Sequence, residues 1–318
     1  MYEISVVPGT GLGLIATSAI PRGTLIFTES PLFLLSLASL ADETAPDMVE
    51  QLVNGLTEED QRAYFSLQLR FIGEDMPAYR IFRTNYKMLH APERPVPHLP
   101  EFIGMFLVCA RLNHSCSPSA CLSWNTTLSQ QVVYAIKDIQ PGEEITTTYL
   151  GSLLAPRDVR QRFLRQLHYF TCLCEACSVP DCSSSDARRF ALGTCNDGSA
   201  AVHQPPAVQM GYIKRAFSLL REEGLGGLLP QNLYLQALGI CAAQGDLARV
   251  SAFAVLAIDA MTICHGADSV AVMNIRPYVS HPETHTQVGQ SRAWRTRAQD
   301  TKQKESPGFE QWLWRRAE

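Results

Sequence analysis

The chain has no basic excess. Its 27 Lys and Arg stand against 31 Asp and Glu, a formal charge of −4, which gives no support to a surface that holds nucleic acid by overall charge. Its first residues, Met1-Tyr2-Glu3-Ile4, carry no basic segment leading into an apolar stretch, so no secretory signal is expected. The richest apolar runs, Pro31 to Leu40 and Ala252 to Ile258, are short or interrupted, and no membrane span is expected. No full repeat period occurs, which excludes a solenoid. What the chain does have is ten cysteines at uneven spacing. In a chain expected to be intracellular, without distinction of cytoplasm from nucleus, these favour metal ligation and buried thiols over disulfides. At 46% hydrophobic over 318 residues, it can bury one large core or two ordinary ones.

Two cysteine-bearing strings organise the rest. Cys172-x-Cys174-x-x-Cys177 offers three thiolates on a tight turn, and Asn113-His114-Ser115-Cys116 can supply a fourth from a distant point. Together they outline a sulfur-only tetrahedral zinc site. Cys182 is the competing fourth ligand, in a purely local site. Cys109, Cys121, Cys195, Cys241 and Cys264 read most simply as core or surface thiols.

Local pattern gives the frame. Ile4 to Ala16 and Thr24 to Leu35 read as short strands separated by glycines and the Pro21-Arg22-Gly23 turn. From Asp42 to Leu69 the period becomes helical through Met48, Leu52, Leu56, Tyr64 and Leu67, with a capping run at Thr57-Glu58-Glu59-Asp60. Four prolines within Ala91 to Pro100 predict an extended connection. Strands return near Leu122 to Asn125, Gln131 to Lys137 and Glu144 to Tyr149, and a helix is predicted over Arg157 to His168. Ser, Asp and Pro from Ser178 to Pro206 suggest a boundary. Three amphipathic helices follow, near Val208 to Glu223, Gln231 to Gln244 and Asp246 to His265, the last two as a hairpin reminiscent of one tetratricopeptide-like unit. From Pro277 the chain is polar and basic, with Trp294, Trp312 and Trp314 as its few anchors.

Five pieces in order, Gly11-Leu12-Gly13-Leu14 with Ile20-Pro21-Arg22-Gly23, Thr84-Asn85, Asn113 to Cys116, Gly142 to Tyr149, and Phe170 to Cys177, resemble the SET-domain lysine methyltransferases. The likeness is to their SET-and-MYND-like and fungal branch, and it covers roughly the first 180 residues, the length of one ordinary domain. No cysteine-rich finger lies between Pro31 and Pro100, so the MYND module is absent. The resemblance implies an α+β chain: a β-rich SET fold of small twisted sheets with a post-SET zinc site, then a helical C-terminal domain. The expected divisions are a catalytic domain over residues 1–180 with a helical insertion near 40–75, a linker over 181–206, and a helical domain over 207–318.

For function, the resemblance implies S-adenosyl-L-methionine held by Gly11, Leu12, Gly13, Asn113, His114, Tyr149 and Phe170. Tyr149 is the catalytic tyrosine and Phe170 packs on adenine. Structural Zn2+ is placed on Cys116, Cys172, Cys174 and Cys177, which favours Cys116 over Cys182. The expected activity is methyl transfer to a lysine-type amine of a protein, with no direct binding of nucleic acid or membrane.

The chain departs from the family where aromatic walls complete the lysine channel. Lys87 and His168 occupy those positions, with Tyr86 and Tyr169 as neighbours able to substitute after a local shift. Ser119 stands where an Asn usually follows the Cys-x-Pro. An alternative function follows from the two basic groups: a SET-fold enzyme for a small acidic or enolic metabolite, with Lys87 and His168 binding an anion or moving protons. A third is a non-catalytic scaffold using the helical region as its interaction face.

Overall fold

The computed structural model describes residues 1–69, 76–89, 102–196 and 203–317; Ala91 to Pro100, read as an extended connection, lies outside them. The chain divides into two compact units, Met1–Gly151 with Gln161–Glu175, and Ser152–Arg160 with Ala176–Glu318.

Three small sheets build the first unit. β1 (Tyr2–Val7) and β2 (Gly11–Ala16) form a hairpin. On β2, Leu14 and Ala16 point into the core, as the period of two requires. β10 (Glu144–Thr147) adds antiparallel to β2 and parallel to β7 (Asn113–His114), pairing Thr146 with Asn113 and Thr147 with His114. Two distant strings of the sequence thus lie side by side. β3 (Leu25–Glu29), β9 (Gln130–Ala135) and β8 (Ala120–Asn125) make the second sheet, and β4 (Phe33–Ser36), β6 (Phe102–Met105) and β5 (Lys87–Met88) the third.

The insertion is helical: α1 (Ala45–Asn54), α2 (Glu58–Phe65) and α3 (Pro77–Asn85). Thr57 starts α2 by accepting the Asp60 N–H at 3.1 Å, as the capping pattern predicts. Val49, Tyr64 and Phe82 bring the three helices onto Phe33 and Met105 of the third sheet. α3 is not foreseen in the sequence reading, because its apolar stripe spans only nine residues. α4 (Arg157–His168) has the bounds that its periodicity predicts, and the one-turn α5 (Glu175–Ser178) closes the cysteine turn.

In the second unit α6 (Ser183–Asn196), α7 (Pro206–Glu223), α8 (Leu228–Ala243) and α9 (Leu247–His265) surround an apolar core. α6 corrects the reading of that stretch as linker. Its buried face includes Leu192, Cys195 and an arginine, Arg189, whose Nε donates to Glu223 at 2.9 Å. A polar composition conceals an inward face when one of the inward residues is a paired charge. Gly245 makes the α8–α9 turn at φ +77°, where a Cβ would stand 3.1 Å from the Ser291 carbonyl oxygen.

α9 also corrects the expectation about apolar length. Leu247–His265 is long and apolar enough to cross a membrane. Here it is mostly buried, with Ala248, Ala252, Phe253 and Ala254 on its inward side. The polar C-terminal stretch is fastened to it. Asp246 accepts from Arg249 at 2.8 Å and Thr296 at 2.8 Å, Arg249 donates to the Trp312 and Leu313 carbonyls, and Trp314 packs on Phe253 at 5.4 Å.

Near the end of α9, buried His265 shares a 3.1 Å hydrogen bond with Gln231 Oε1. Burial holds its imidazole down from 6.5 to about 4. The unfolded chain takes up that proton as pH falls below 6.5 and the folded chain does not. Stability is therefore complete above 6.5 and is lost as pH falls toward 4, by about 3 kcal/mol. Chemical denaturation at neutral pH and near pH 4 should show this loss, and His265→Gln should remove most of it.

Candidate functional site

The cysteine cluster is built from the end of α4 outward. Gln161, buried on α4, grips Cys172 at both backbone groups: its Nε2 donates to the carbonyl at 2.7 Å and its Oε1 accepts the N–H at 3.0 Å. The turn so fixed carries Cys172, Cys174 and Cys177, and the Cys116 N–H donates to Cys174 Sγ at 3.4 Å. The four Sγ atoms of Cys116, Cys172, Cys174 and Cys177 lie within 4.8 Å of one another. Zinc–sulfur bonds of 2.3 Å in a tetrahedron need about 3.8 Å between sulfurs, so these residues fit a zinc ion. Three of these four, Cys116, Cys172 and Cys177, are buried.

The surrounding donors suit anionic sulfur. Besides the Cys116 N–H, the Arg160 guanidinium stands 4.0 Å from Cys177 Sγ and His114 Nε2 3.3 Å from Cys116 Sγ. Cys182 lies outside the cluster, donating to Asp186 at 3.1 Å.

His114 and Tyr149 share one arrangement. The Tyr149 N–H donates to His114 Nδ1 at 3.0 Å, and its hydroxyl donates to the Leu112 carbonyl at 2.7 Å. Because Nδ1 is an acceptor here, the imidazole proton sits on Nε2 and points at Cys116 Sγ. The Tyr149 ring is flanked by His114 at 5.4 Å, His168 at 5.1 Å and, edge on, Phe170 at 6.4 Å. Lys87 Nζ stands 5.2 Å from its centroid.

Lys87 and His168 therefore both border the tyrosine. Neither neighbour takes their place: Tyr86 stacks on Phe82 at 5.5 Å, and Tyr169, at φ +56°, is 59% exposed. Burial lowers the Lys87 pKa from its ordinary value, with Cys109 and Glu29 pulling it up. Burial, and then the Glu29 charge, push the Cys109 thiol well up. Glu29 accepts from the backbone N–H groups of Leu107, Val108 and Cys109 at 2.6, 2.7 and 2.7 Å.

The glycine turn is locked to the Asn113 strand. Asn113 Nδ2 donates to Glu144 Oε1 at 2.8 Å, the Leu12 carbonyl at 3.2 Å and Thr10 Oγ1 at 3.3 Å. Burial raises the Glu144 pKa, against the Asn113 hydrogen bond. Beside this lock lies a cavity of about 170 Å³ lined by Gly11, Leu12, Gln68, Arg111, Asn113 and Ser66 among others. Arg111 donates to Ser66 Oγ at 2.8 Å, and Asn85 Nδ2 holds the Gln68 carbonyl at 2.8 Å.

Gly11 has φ +94°, and a Cβ on Gly13 would fall 2.5 Å from Glu144 Oε1, 2.8 Å from Val7 Cγ2 and 2.9 Å from Asn113 Nδ2. Gly13 is thus closed over by the protein's own side chains, whereas a Cβ on Gly11 would meet nothing within 4 Å, so the open space for a close backbone approach by the implied cofactor lies at Gly11. Gly13→Ala is expected to cost about 1–3 kcal/mol of stability and to weaken cofactor binding, which denaturation and calorimetry would measure separately. Sequence reasoning misses Ser66, Gln68 and Arg111. Only Arg111, two residues before Asn113, carries a signal in the chain, a cation beside the string already singled out.

Comparison with known proteins matches the SET domain to residues 11–150. The chain is 31% identical over 300 residues, 90% of its own length and 85% of the relative's, to the histone-lysine N-methyltransferase set5 of Schizosaccharomyces pombe. It is 32% identical over 134 residues to the N-lysine methyltransferase SMYD2 of Sus scrofa, covering 42% of this chain and 29% of that protein. With SMYD2-B of Danio rerio the identity is 41% over 77 residues, 24% of this chain and 17% of the relative.

Proposed function

The chain belongs to the SET-domain family of methyltransferases, and from that premise we propose that it transfers methyl groups from S-adenosylmethionine to a lysine-type amine on a protein. The cofactor supplies an electrophilic sulfonium methyl. Gly11, Leu12, Gly13, Asn113, His114, Tyr149 and Phe170 are the residues proposed to hold it, and the four clustered cysteines to hold a structural zinc.

The observation that carries the reading is the way Tyr149 is fixed at both ends, N–H on His114 and hydroxyl on Leu112. A lysine ammonium has no lone pair to attack a methyl group, and a water-poor pocket must first favour its neutral form. Burial acts in that direction on an amine beside Tyr149, as it does on Lys87. With the amine neutral, alignment is the remaining task, and a tyrosine held at both ends supplies a fixed wall for it.

A second reading has its own observation, the two basic side chains beside the same ring. They suit a small carboxylate or enolate, each charge-assisted hydrogen bond contributing about 1.5–3 kcal/mol. The test is calorimetry with S-adenosylmethionine, followed by methyl transfer to histone peptides and, in parallel, to a panel of small carboxylic acids. Transfer to peptide lysine supports the first reading. Transfer only to acids replaces it with the second.

A further inference from the structure

Five lysines occur in the chain, and Lys137, Lys214, Lys302 and Lys304 are exposed. Lys87 is half-buried, with its Nζ within cation–π range of the Tyr149 ring. It is rooted there by its own strand: β5 pairs Lys87 with Gly104 and Met88 with Ile103. Among the described residues its Nζ makes no ion pair or hydrogen bond. The nearby Glu29 carboxylate already accepts from three backbone N–H groups. The single withdrawn amine of the protein is therefore held against the tyrosine at which, in the proposed function, a substrate amine would be aligned.

We propose that Lys87 is itself a methyl acceptor, modified in cis across the ring of its own Tyr149. The inference rests on the methyltransferase reading above. Atoms and electrons balance without a further reagent. The Lys87 ammonium gives its proton to solvent, and the nitrogen lone pair forms a bond to the sulfonium methyl carbon. The carbon–sulfur bond breaks with its electron pair remaining on sulfur, leaving S-adenosylhomocysteine and N-methyl-lysine. The lowered pKa of a buried amine favours the first of these events.

The purified full chain, incubated with S-adenosylmethionine and digested, should show added methyl on the peptide that carries Lys87 and not on those carrying the four exposed lysines. The rate should be unchanged on dilution of the protein, as a step within one molecule requires. Lys87→Arg should abolish the label while cofactor binding by calorimetry persists, and Lys137→Arg should retain it. A readout without cofactor is reductive methylation by formaldehyde across pH, in which Lys87 should become reactive at lower pH than the other four. Unmodified Lys87 in protein that binds the cofactor and methylates a lysine peptide overturns the inference and leaves the transferase reading standing. Lys87 titrating with the exposed lysines also overturns it. Failure to bind the cofactor overturns the transferase reading itself, and the inference with it.

Discussion

Replacing Cys172 by serine should strip the protein of most of its zinc and lower its melting temperature by on the order of 10 °C or more. Cys116 is linked to a turn 58 positions further along the chain, so one ion closes a long loop. The binding energy of such an ion is folding energy, since no preformed site exists in the unfolded chain. Chelation should reproduce the loss reversibly. Cys182→Ser should leave the metal content at one equivalent, because Cys182 is bonded to Asp186 instead. Elemental analysis with thermal denaturation on the two variants decides the matter. Unchanged zinc in Cys172→Ser, or a Cys172–Cys174 disulfide in the native protein, would refute the assignment.

Tyr149→Phe should reduce methyl transfer by about 10²-fold with a much smaller effect on cofactor affinity. The ring would remain, together with its backbone bond to His114. What disappears is the hydroxyl's bond to Leu112, so that carbonyl loses a donor, at about 1–3 kcal/mol if water does not replace it. Turnover and calorimetry measured on the same preparation separate the two effects. Full activity in the phenylalanine variant would show that the hydroxyl aligns nothing.

The cysteine cluster was legible because metal ligation imposes fixed residue types at short spacing, and α4 because its apolar period is unbroken. Lys87 and His168 were legible as departures from a family pattern, and the fold places both beside Tyr149. Ser66 and Gln68 carried no signal. They reach the cavity wall through packing of the helical insertion, and polar residues after a helix are usually plain surface. α6 stayed hidden because Arg189 is buried against Glu223, a pairing 34 residues apart that no local period encodes. α9 was underestimated because scattered polar residues break its apolar run in sequence without exposing it in the fold.

The hydrogen bonds of His114 have a consequence for proton traffic. Its Nδ1 lone pair is engaged by the Tyr149 N–H, and its one ring proton lies toward Cys116 Sγ. Although it stands beside the tyrosine, this imidazole is occupied at both nitrogens and has no lone pair to offer an incoming ammonium. The proton that an acceptor amine must shed at the Tyr149 ring is therefore not taken up by His114, and this imidazole acts on the reaction only by holding the tyrosine backbone in place.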